Sequence, residues 1–363
     1  MAGRPVGAWC RRAGGGGSLS SAADAPPPYI QNRYAPMSRP TPTRPIPSAS
    51  STPSTPSIPS APKQRRRQPR WRLAAMAAAL LLCAAPVASA APGTAPGPAE
   101  GRPPAHGGAP LYISDYSDNT VLRLPPRGGA PAMVAVTGLI RPTGMVLGPS
   151  GDLYVSDTGN NRVVRVPGDG GPQSVVPTTD LSRPIGLALN ADGDLYIADS
   201  FNDRVVKVPA DGSGQVTVPT TGLLHPNGLA LDRAGNLFVA DFVNDRVVKV
   251  PADGGPQTTV PTTGLSQPTG LAFGRGGDLF VSDSGNDRVV RLPAGGGPQR
   301  TVPAIGLNSP YGLAFDPAGA LYVADFNNDR VVKLPVRGGQ RTVPVAGLRT
   351  PAGLAIPSGR AGY

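Results

Sequence analysis

The last three-quarters of this chain contain neither cysteine nor tryptophan. Both Cys residues and both Trp residues lie within the first ninety positions, at Trp9, Cys10, Trp71 and Cys83. No disulfide can therefore stabilise residues 91–363, and their stability has to come from packing. A domain of about 250 residues can supply it, because it buries roughly three-quarters of the surface that its unfolded chain exposes.

Histidine and glutamate are almost absent as well. The sequence has two histidines, His106 and His225, and Glu100 is its only glutamate. Catalytic zinc sites generally use three protein ligands, so the sequence disfavours a zinc enzyme. Asp and Asn side chains can hold calcium, and this cofactor stays open. We predict no catalytic residue, no metal-ligand set and no required cofactor.

An excess of charge is also missing from the C-terminal part. Residues 1–90 hold 12 Lys and Arg against a single acid, Asp24, whereas residues 91–363 hold 22 Lys and Arg against 22 Asp and Glu. The net charge of +11 therefore belongs to the N-terminal segment. Binding to nucleic acid by phosphate neutralisation needs a basic excess on the folded domain. We therefore predict no nucleic-acid partner.

The N-terminal segment reads as a low-complexity stretch followed by an export signal. Residues 1–64 are rich in Gly, Ser, Pro and Thr and lack apolar periodicity, so we predict that they are disordered. Residues 65–90 join the basic run RRRQPRWR, the apolar run LAAMAAALLLCAAPVA and a small-residue site that ends at Ala90. These are the three parts of a signal peptide, with cleavage expected after Ala90.

Two features of this signal leave alternatives open. It lies far from Met1, so translation could start downstream, and Met37 is one candidate start. The apolar run could also stay uncleaved as a membrane anchor, with the basic flank in the cytoplasm. In either case the domain that follows a linker at residues 91–110 is expected outside the cell, secreted or held at the membrane by that anchor alone.

A repeat of 42 residues fills the rest of the chain. Six strings of the type LYVAD each end in an aspartate, at Asp115, Asp157, Asp199, Asp241, Asp283 and Asp325. A second string, P-x-G-[LM], also occurs six times and begins at Pro142, Pro184, Pro226, Pro268, Pro310 and Pro351, so its last interval is one residue short. Self-similarity of this length is typical of propellers and solenoids.

One repeat predicts four short antiparallel strands. GLALN at residues 186–190 and LYIAD at residues 195–199 have strand character, RVVKV follows at residues 204–208, and QVTVPTT is an edge strand because Pro219 lacks an N–H. Four such strands every ~40–45 residues predict a propeller blade. The sequence therefore indicates an all-β fold, a six-bladed β-propeller over residues 111–357, with a tail at residues 358–363.

The order of the strings predicts how the ring closes. The repeats open at Leu111 with a second strand and end at residues 351–357 with a first strand that has no followers. The C-terminal strand should therefore join the N-terminal blade, which removes exposed sheet edges. We expect a monomer.

The repeat pattern P-x-G-L-A…G-[DN]-L-[YF]-V-[AS]-D…N-[DN]-R-V-V-[KR] resembles the NHL repeat. Asn227-Gly228-Leu229 comes nearest to the Asn-His-Leu string of that family. The units are most similar to the extracellular sensor propeller of mycobacterial membrane serine/threonine protein kinases. No kinase motif is present in this sequence. The resemblance therefore implies a ligand-binding role without phosphoryl transfer.

Other propellers with this architecture are enzymes. The amidating lyase that resembles an NHL propeller uses zinc held by several histidines, whereas this chain has only His106 and His225. Streptogramin-lyase-like and lactonase-like propellers use a divalent metal, and a secreted lyase or hydrolase of that kind is the alternative function. Purified protein with stoichiometric calcium or zinc would favour it.

Residues that recur in every repeat are predicted to be structural. In five repeats an arginine follows the periodic aspartate by five positions, and we expect each pair to bridge a turn: Arg162, Arg204, Arg246, Arg288 and Arg330. Thr120 breaks the pattern in the first repeat. Aromatic residues also recur in register and are expected to pack between blades: Tyr112, Tyr154, Tyr196, Phe238, Phe280 and Tyr322.

Residues that differ between repeats are the better candidates for a binding site, because packing demands the same residue in each blade and a ligand does not. The loop after the second strand and the loop before the first strand should share one face of the disk. We predict there an aromatic and basic ring that binds an extracellular or envelope protein, a peptide or a glycan. Its candidate residues are Tyr116, Arg141, Arg183, Phe201, His225, Asn227, Phe242, Tyr311 and Phe326.

Overall fold

The computed structural model describes residues 108–126 and 129–357. The predicted disordered segment, the signal or anchor, all but the last three residues of the linker, and the C-terminal tail lie outside the described residues. Among the residues described, no helix has the length and apolar character that crossing a membrane requires.

The described residues form four concentric layers of strands, numbered here in chain order. The innermost strands are β4 (Pro142–Leu147), β8 (Pro184–Leu189), β12 (Pro226–Leu231), β16 (Pro268–Phe273), β20 (Pro310–Phe315) and β24 (Pro351–Ala355). The second strands are β1 (Leu111–Asp115), β5 (Leu153–Asp157), β9 (Leu195–Asp199), β13 (Leu237–Asp241), β17 (Leu279–Asp283) and β21 (Leu321–Asp325). The third strands are β2 (Thr120–Leu124), β6 (Arg162–Val166), β10 (Arg204–Val208), β14 (Arg246–Val250), β18 (Arg288–Leu292) and β22 (Arg330–Leu334). The outermost strands are β3 (Ala132–Met133), β7 (Ser174–Val175), β11 (Val216–Thr217), β15 (Thr258–Thr259), β19 (Arg300–Thr301) and β23 (Arg341–Thr342).

These strands make six four-stranded antiparallel sheets, which confirms the predicted all-β, six-bladed propeller. Blade 1 has the strand order β24-β1-β2-β3, so the C-terminal strand completes the N-terminal blade as expected. Blades 2 to 6 follow in chain order, from β4-β5-β6-β7 to β20-β21-β22-β23. Four of the blades also carry a short 3-10 turn after the second strand: Thr158–Asn160, Ser200–Asn202, Ser284–Asn286 and Phe326–Asn328.

The outermost strand is shorter than the sequence pattern predicts. In blade 3 it covers only Val216–Thr217, and Pro219, which cannot donate a ladder hydrogen bond, lies beyond it. The one-residue deficit of the last repeat falls in the hairpin between β22 and β23. Lys333 pairs there with Arg341, whereas Lys249 of blade 4 pairs with Thr258, one position further along the chain.

A ring of glycines lets the innermost strands approach the propeller axis. A Cβ atom on Gly228 would lie 2.1 Å from the carbonyl oxygen of Thr269, on the next blade. The same close approach recurs around the ring, from Gly144, Gly186, Gly270 and Gly312 and finally from Gly353 back to Thr143. Only a residue without a side chain fits such a position. The glycine of P-x-G therefore sets the diameter of the central channel.

The hydrophobic core is divided among the gaps between neighbouring blades. Val163 of blade 2, for example, packs with Leu187 and Ile197 of blade 3. The recurring aromatic residues lie in these gaps: Phe238 of blade 4 meets Phe273 of blade 5 edge-to-face, with ring centroids 5.1 Å apart. Each blade thus buries its apolar side chains against the blades on either side of it, and only a closed ring covers the apolar side chains of every blade.

Candidate functional site

The periodic aspartates form a carboxylate ring on the face where the innermost strands begin, named here the loop face. Asp199 has no exposed side-chain surface, and its Oδ2 accepts a hydrogen bond of 2.6 Å from Nε of Arg204. Blades 2, 4, 5 and 6 have the same ion pair, at 2.6 to 2.7 Å. The other oxygen of Asp199 accepts the backbone N–H of Ser182, in the loop before β8. In blades 2 to 6 the carboxylate ring therefore joins the second strand, the third strand and the entry loop.

A second set of polar contacts fastens each blade to the next. The residue before each third strand has a left-handed backbone, and its side-chain oxygen accepts the N–H of the residue before the next innermost strand. Asp203 of blade 3 accepts in this way from His225 of blade 4, at 2.8 Å. The other links are Asn119 to Arg141, Asn161 to Arg183, Asp245 to Gln267, Asp287 to Ser309 and, across the closure, Asp329 to Thr350.

Blade 1 departs from this pattern. Asp115 is 1% exposed and accepts the N–H of Arg349 at 2.6 Å, but Thr120 stands opposite it where other blades have arginine. Asp118 occupies the position of the usual asparagine and adds a nearby negative charge. Burial raises the pKa of Asp115, and the N–H of Arg349 lowers it by less than that.

The channel mouth on the loop face is closed by an aromatic cluster. Burial raises the pKa of the Tyr311 hydroxyl in blade 6, and the nearby side chain of Asn227 in blade 4 lowers it by less than that. Phe326 packs between Tyr311 and Tyr116, with ring centroids 5.6 and 5.9 Å away. Arg141 lies over the Tyr116 ring at 5.9 Å. Below this cluster the channel encloses about 70 Å³ and is lined mainly by glycines and leucines.

Hydroxyl groups replace the aromatic rings in blades 2 and 5. The hydroxyl oxygens of Thr143 and Thr158 lie 2.7 Å apart, and the Thr158 hydroxyl donates a hydrogen bond to the carbonyl oxygen of Pro184 in the next blade. Thr269 and Ser284 repeat this arrangement beside Pro310. These hydroxyls are buried and satisfied, so they contribute to blade contacts instead of offering a nucleophile.

A mixed basic, aromatic and apolar arc runs over blades 3 and 4 of the loop face. The guanidinium of Arg183 lies 4.5 Å from the Phe201 ring centroid, and Phe201 lies 4.7 Å from the ring of His225. Leu224 and Val243 continue the arc, with 37% and 44% of their surface exposed. We name Arg183, Phe201, Leu224, His225 and Val243 the loop-face arc.

The structure divides the predicted site residues into two groups. Tyr116, Asn227, Phe242 and Phe326 are buried, with 2% to 8% of their surface exposed, so they support the surface more than they form it. Arg141, Arg183, Phe201, His225 and Tyr311 are partly exposed. Three exposed apolar side chains of the same loops were not among the predicted residues: Ile140, Leu224 and Val243. Repeat alignment could have found Ile140 and Leu224, because the residue two places before the proline is of five different types in the six blades.

The carboxylates of the loop face do not fit a metal site. Within residues 108–126 and 129–357, no three His, Cys, Asp or Glu side chains come together as metal ligands. Asp199 is already engaged by Arg204, Asn202 and a backbone N–H, and its counterparts in blades 2, 4, 5 and 6 are engaged in the same way. The divalent metal of lyase-like or lactonase-like propellers therefore has no matching ligand set among these residues.

Two protein families match parts of the chain. The SMP-30/gluconolactonase/LRE-like region, abbreviated SGL, matches residues 138–285, and the NHL repeat matches residues 307–334. No curated protein matches the sequence significantly.

Solved structures resemble the propeller at low sequence identity. A chain in the crystal structure of a nidogen/laminin complex has a TM-score of 0.62 and 22% identity, covering 69% of this chain and 98% of that chain. Streptogramin B lyase has a TM-score of 0.53 and 17% identity, covering 69% and 88%. A protein of unknown function from Bacteroides caccae has a TM-score of 0.53 and 14% identity, covering 68% and 98%. At these identities the likeness shows the fold alone. The SGL and NHL matches, taken with six blades of four strands, fit a propeller of the NHL type.

Proposed function

We propose that this protein is an exported binding module whose loop face recognises a protein ligand. The observation that carries the proposal is the loop-face arc. Exposed Leu224 and Val243 lie there beside the stacked side chains of Arg183, Phe201 and His225. Apolar, aromatic and arginine side chains in one patch with a polar rim are characteristic of protein-binding hot spots.

The rest of the loop face supports this assignment by contrast. Over blades 5 and 6 the equivalent loops present Gln267, Gly285 and Asn327, and Asn327 donates to the hydroxyl of Ser309 at 2.7 Å. Nothing in the packing of the blades requires one half of the face to be apolar and the other polar, because the carboxylate ring is the same under both. A ligand that touches one half explains the difference.

The similarity to a chain of a nidogen/laminin complex supports a protein as the ligand, since that propeller was solved together with a protein. Export rests on the predicted signal at residues 65–90. Sequencing the N-terminus of the protein recovered outside the cell tests it, with Ala91 as the expected first residue. An N-terminus at Met1 or Met37 would point to the uncleaved anchor.

Capture from an envelope extract tests the binding face. The exported chain, tagged at its C-terminus, is compared with the double variant Phe201→Ala/Val243→Ser. We expect the variant to lose at least about ten-fold in capture of a specific protein, because truncating a central hot spot costs about 2 kcal/mol or more. The matched control is Asn327→Ala, on the polar half of the same face. Equal capture by the wild type and the double variant would reject the loop-face arc.

A secreted lyase or hydrolase is the second candidate. The SGL match and the similarity to streptogramin B lyase favour it, whereas the engaged carboxylates of the loop face do not. Metal analysis of the purified chain separates the two candidates. We expect substoichiometric calcium and zinc, and one equivalent of either per chain would favour the enzyme.

A further inference from the structure

Two buried hydrogen-bond donors at the channel mouth have no acceptor. The hydroxyl of Tyr116 and the Nη1 atom of Arg183 are both inaccessible to solvent and without a hydrogen-bond partner. Tyr116 as a whole is only 8% exposed. A buried polar group without a partner costs roughly 1–3 kcal/mol, and more when it is charged. Donors left in this state at a variable position point to an acceptor that comes from outside the chain.

The surroundings of these donors are positive. Burial raises the pKa of the Tyr116 hydroxyl, and the nearby charges of Arg141 and Arg183 both act to lower it. The periodic carboxylate of the blade that carries Arg183, Asp199, pairs with Arg204. The channel mouth therefore combines two guanidinium groups with one phenolic donor around a desolvated spot.

We propose that the channel mouth takes up one carboxylate from an acidic side chain of the bound protein, held by Arg183 and the hydroxyl of Tyr116 with Arg141 beside them. This proposal rests on the proposed function and adds the chemistry of its anchor. An arginine offers paired N–H groups that match the two oxygens of a carboxylate. The carboxylate enters as Arg183 turns away from the Phe201 ring. It then accepts hydrogen bonds from both donors that lack a partner, Nη1 of Arg183 and the hydroxyl of Tyr116.

The shape of the mouth favours a side-chain carboxylate over an acidic sugar. Phe326 packs edge-to-face against Tyr116 and at a tilt against Tyr311, and the two unpartnered donors are inaccessible to solvent. A carboxylate on a thin aliphatic stem can insert between such rings. A uronic acid carries its carboxylate directly on a bulky ring and cannot bring it to the same depth.

A titration with a capped peptide tests the proposal on the exported chain. The probe is acetyl-Gly-Gly-Glu-Gly-Gly-amide, followed through the side-chain Nε–H signals of a 15N-labelled protein. We expect saturable shifts of the Arg183 signal with a Kd on the order of 1 mM. The matched peptide with Gln in place of Glu should give no saturable shift. Equal shifts from both peptides, or none from either, would overturn the proposal.

Variants separate a specific anchor from general attraction to a basic surface. Arg183→Gln should weaken binding of the Glu peptide by about ten-fold or more, and Tyr116→Phe by about five-fold, since each removes a donor to a charged acceptor. Tyr116→Phe should keep or raise the melting temperature, because it removes an unpartnered hydroxyl. Arg300→Gln, an exposed arginine of β19, is the control and should bind within about two-fold of the wild type. Equal loss in Arg300→Gln would contradict a local site.

Three further outcomes are informative. Tighter binding of glucuronate than of the Glu peptide would overturn the assignment to an acidic side chain. If the envelope protein is captured normally by Arg183→Gln, the loop-face function stands and the carboxylate anchor fails. If the Glu peptide binds through Arg183 but no envelope protein depends on Phe201 and Val243, the anchor stands and the proposed function fails.

Discussion

The buried carboxylate of the periodic aspartate has different partners in the blade that closes the ring and in the five other blades. In blades 2 to 6 the periodic aspartate pairs with an arginine at 2.6 to 2.7 Å and also accepts a backbone N–H from the entry loop. In blade 1, Asp115 keeps the backbone contact with Arg349 and has Thr120 in place of the arginine. The feature common to all six blades is therefore the carboxylate that holds the entry loop, and the guanidinium is an addition.

This difference leaves the carboxylate without an arginine where the first and the last strand of the propeller meet. Asp118, in place of asparagine, adds a negative charge beside Asp115. The exposed side chain of Arg349 reaches Asp118 only at 3.8 Å, and an exposed pair of this kind contributes little. Closure of the ring depends instead on the β1–β24 ladder and on packing between blades 6 and 1.

The largest effect is expected where blade 1 does not differ from the others, in the glycine ring. Gly228→Ala and Gly353→Ala should both unfold the propeller or cost more than about 4 kcal/mol, because each Cβ would overlap a backbone carbonyl at 2.0 to 2.1 Å. Circular dichroism with urea unfolding measures it. Gly276→Ala is the control, since a Cβ there meets nothing within 4 Å. Tolerance of Gly353→Ala alone would mean that the closing blade is looser than described.

The next largest effect is a difference in stability cost when the periodic aspartate is replaced in blade 3 and in blade 1. Asp199→Asn should cost about 3–5 kcal/mol, because it leaves the partly buried guanidinium of Arg204 without its charge partner. Asp115→Asn should cost only about 1–2 kcal/mol, because asparagine keeps one of the two oxygens that accept the N–H groups of Ser117, Asp118 and Arg349 and also relieves a desolvated charge. Urea unfolding of the two variants measures the difference. Equal losses would show that the missing arginine is unimportant.

Adding the missing partner should remove part of the difference. Thr120→Arg places a guanidinium opposite Asp115 in the register that Arg204 has opposite Asp199, and we expect about 1 kcal/mol of added stability. Thr120→Met is the control, because it supplies an aliphatic stem without charge. The prediction fails if the two variants have the same unfolding midpoint.

The smallest effect is a difference in pH dependence. Burial raises the pKa of Asp115 above 3.8, so the folded state holds this proton more tightly than the unfolded chain does. The contribution of Asp115 is then fully present below pH 3.8 and is lost as the pH rises through its folded pKa. The stability of the wild type relative to Asp115→Asn should therefore increase as the pH is lowered from neutral, measured by urea unfolding at several pH values.

Asp152, on the opposite face of blade 2, provides a control of opposite sign. Burial raises the pKa of Asp152, but the hydrogen bonds from Gly168, Arg165 and Ser150 together lower it by more. The pKa of Asp152 therefore lies below its usual value of 3.8. Its contribution to stability is present above pH 3.8 and is lost as the pH falls through the folded pKa. The advantage of the wild type over Asp152→Asn should shrink on acidification. The same sign for both residues would contradict this assignment.

The sequence predicted the six blades, their strand order and the closing strand because a strict period fixes them. LYIAD and RVVKV of blade 3 are strands with the bounds that the alternation indicates, Leu195–Asp199 and Arg204–Val208. The outermost strand was predicted too long, because the apolar pattern of QVTVPTT does not show where Pro219 ends the ladder.

The candidate site was predictable only in part. Phe242 and Phe326 occupy a position whose residue type varies between repeats, so the sequence predicted that they contact a ligand. In the structure both are buried. Phe326 is covered by Tyr311 of its own blade and by Tyr116 of blade 1, which lies far away in the sequence. A repeat alignment shows which positions vary around a loop, and it does not show which of them point inward across the axis.

Hydrogen exchange of the propeller with its captured envelope protein bound tests most directly whether the variable loops form the binding surface. The account predicts protection in the loops that carry Arg183, Leu224 and Val243, and unchanged exchange in the turns of the opposite face, such as residues 167–170. Protection of those turns, with the loop-face arc still exchanging freely, would contradict it.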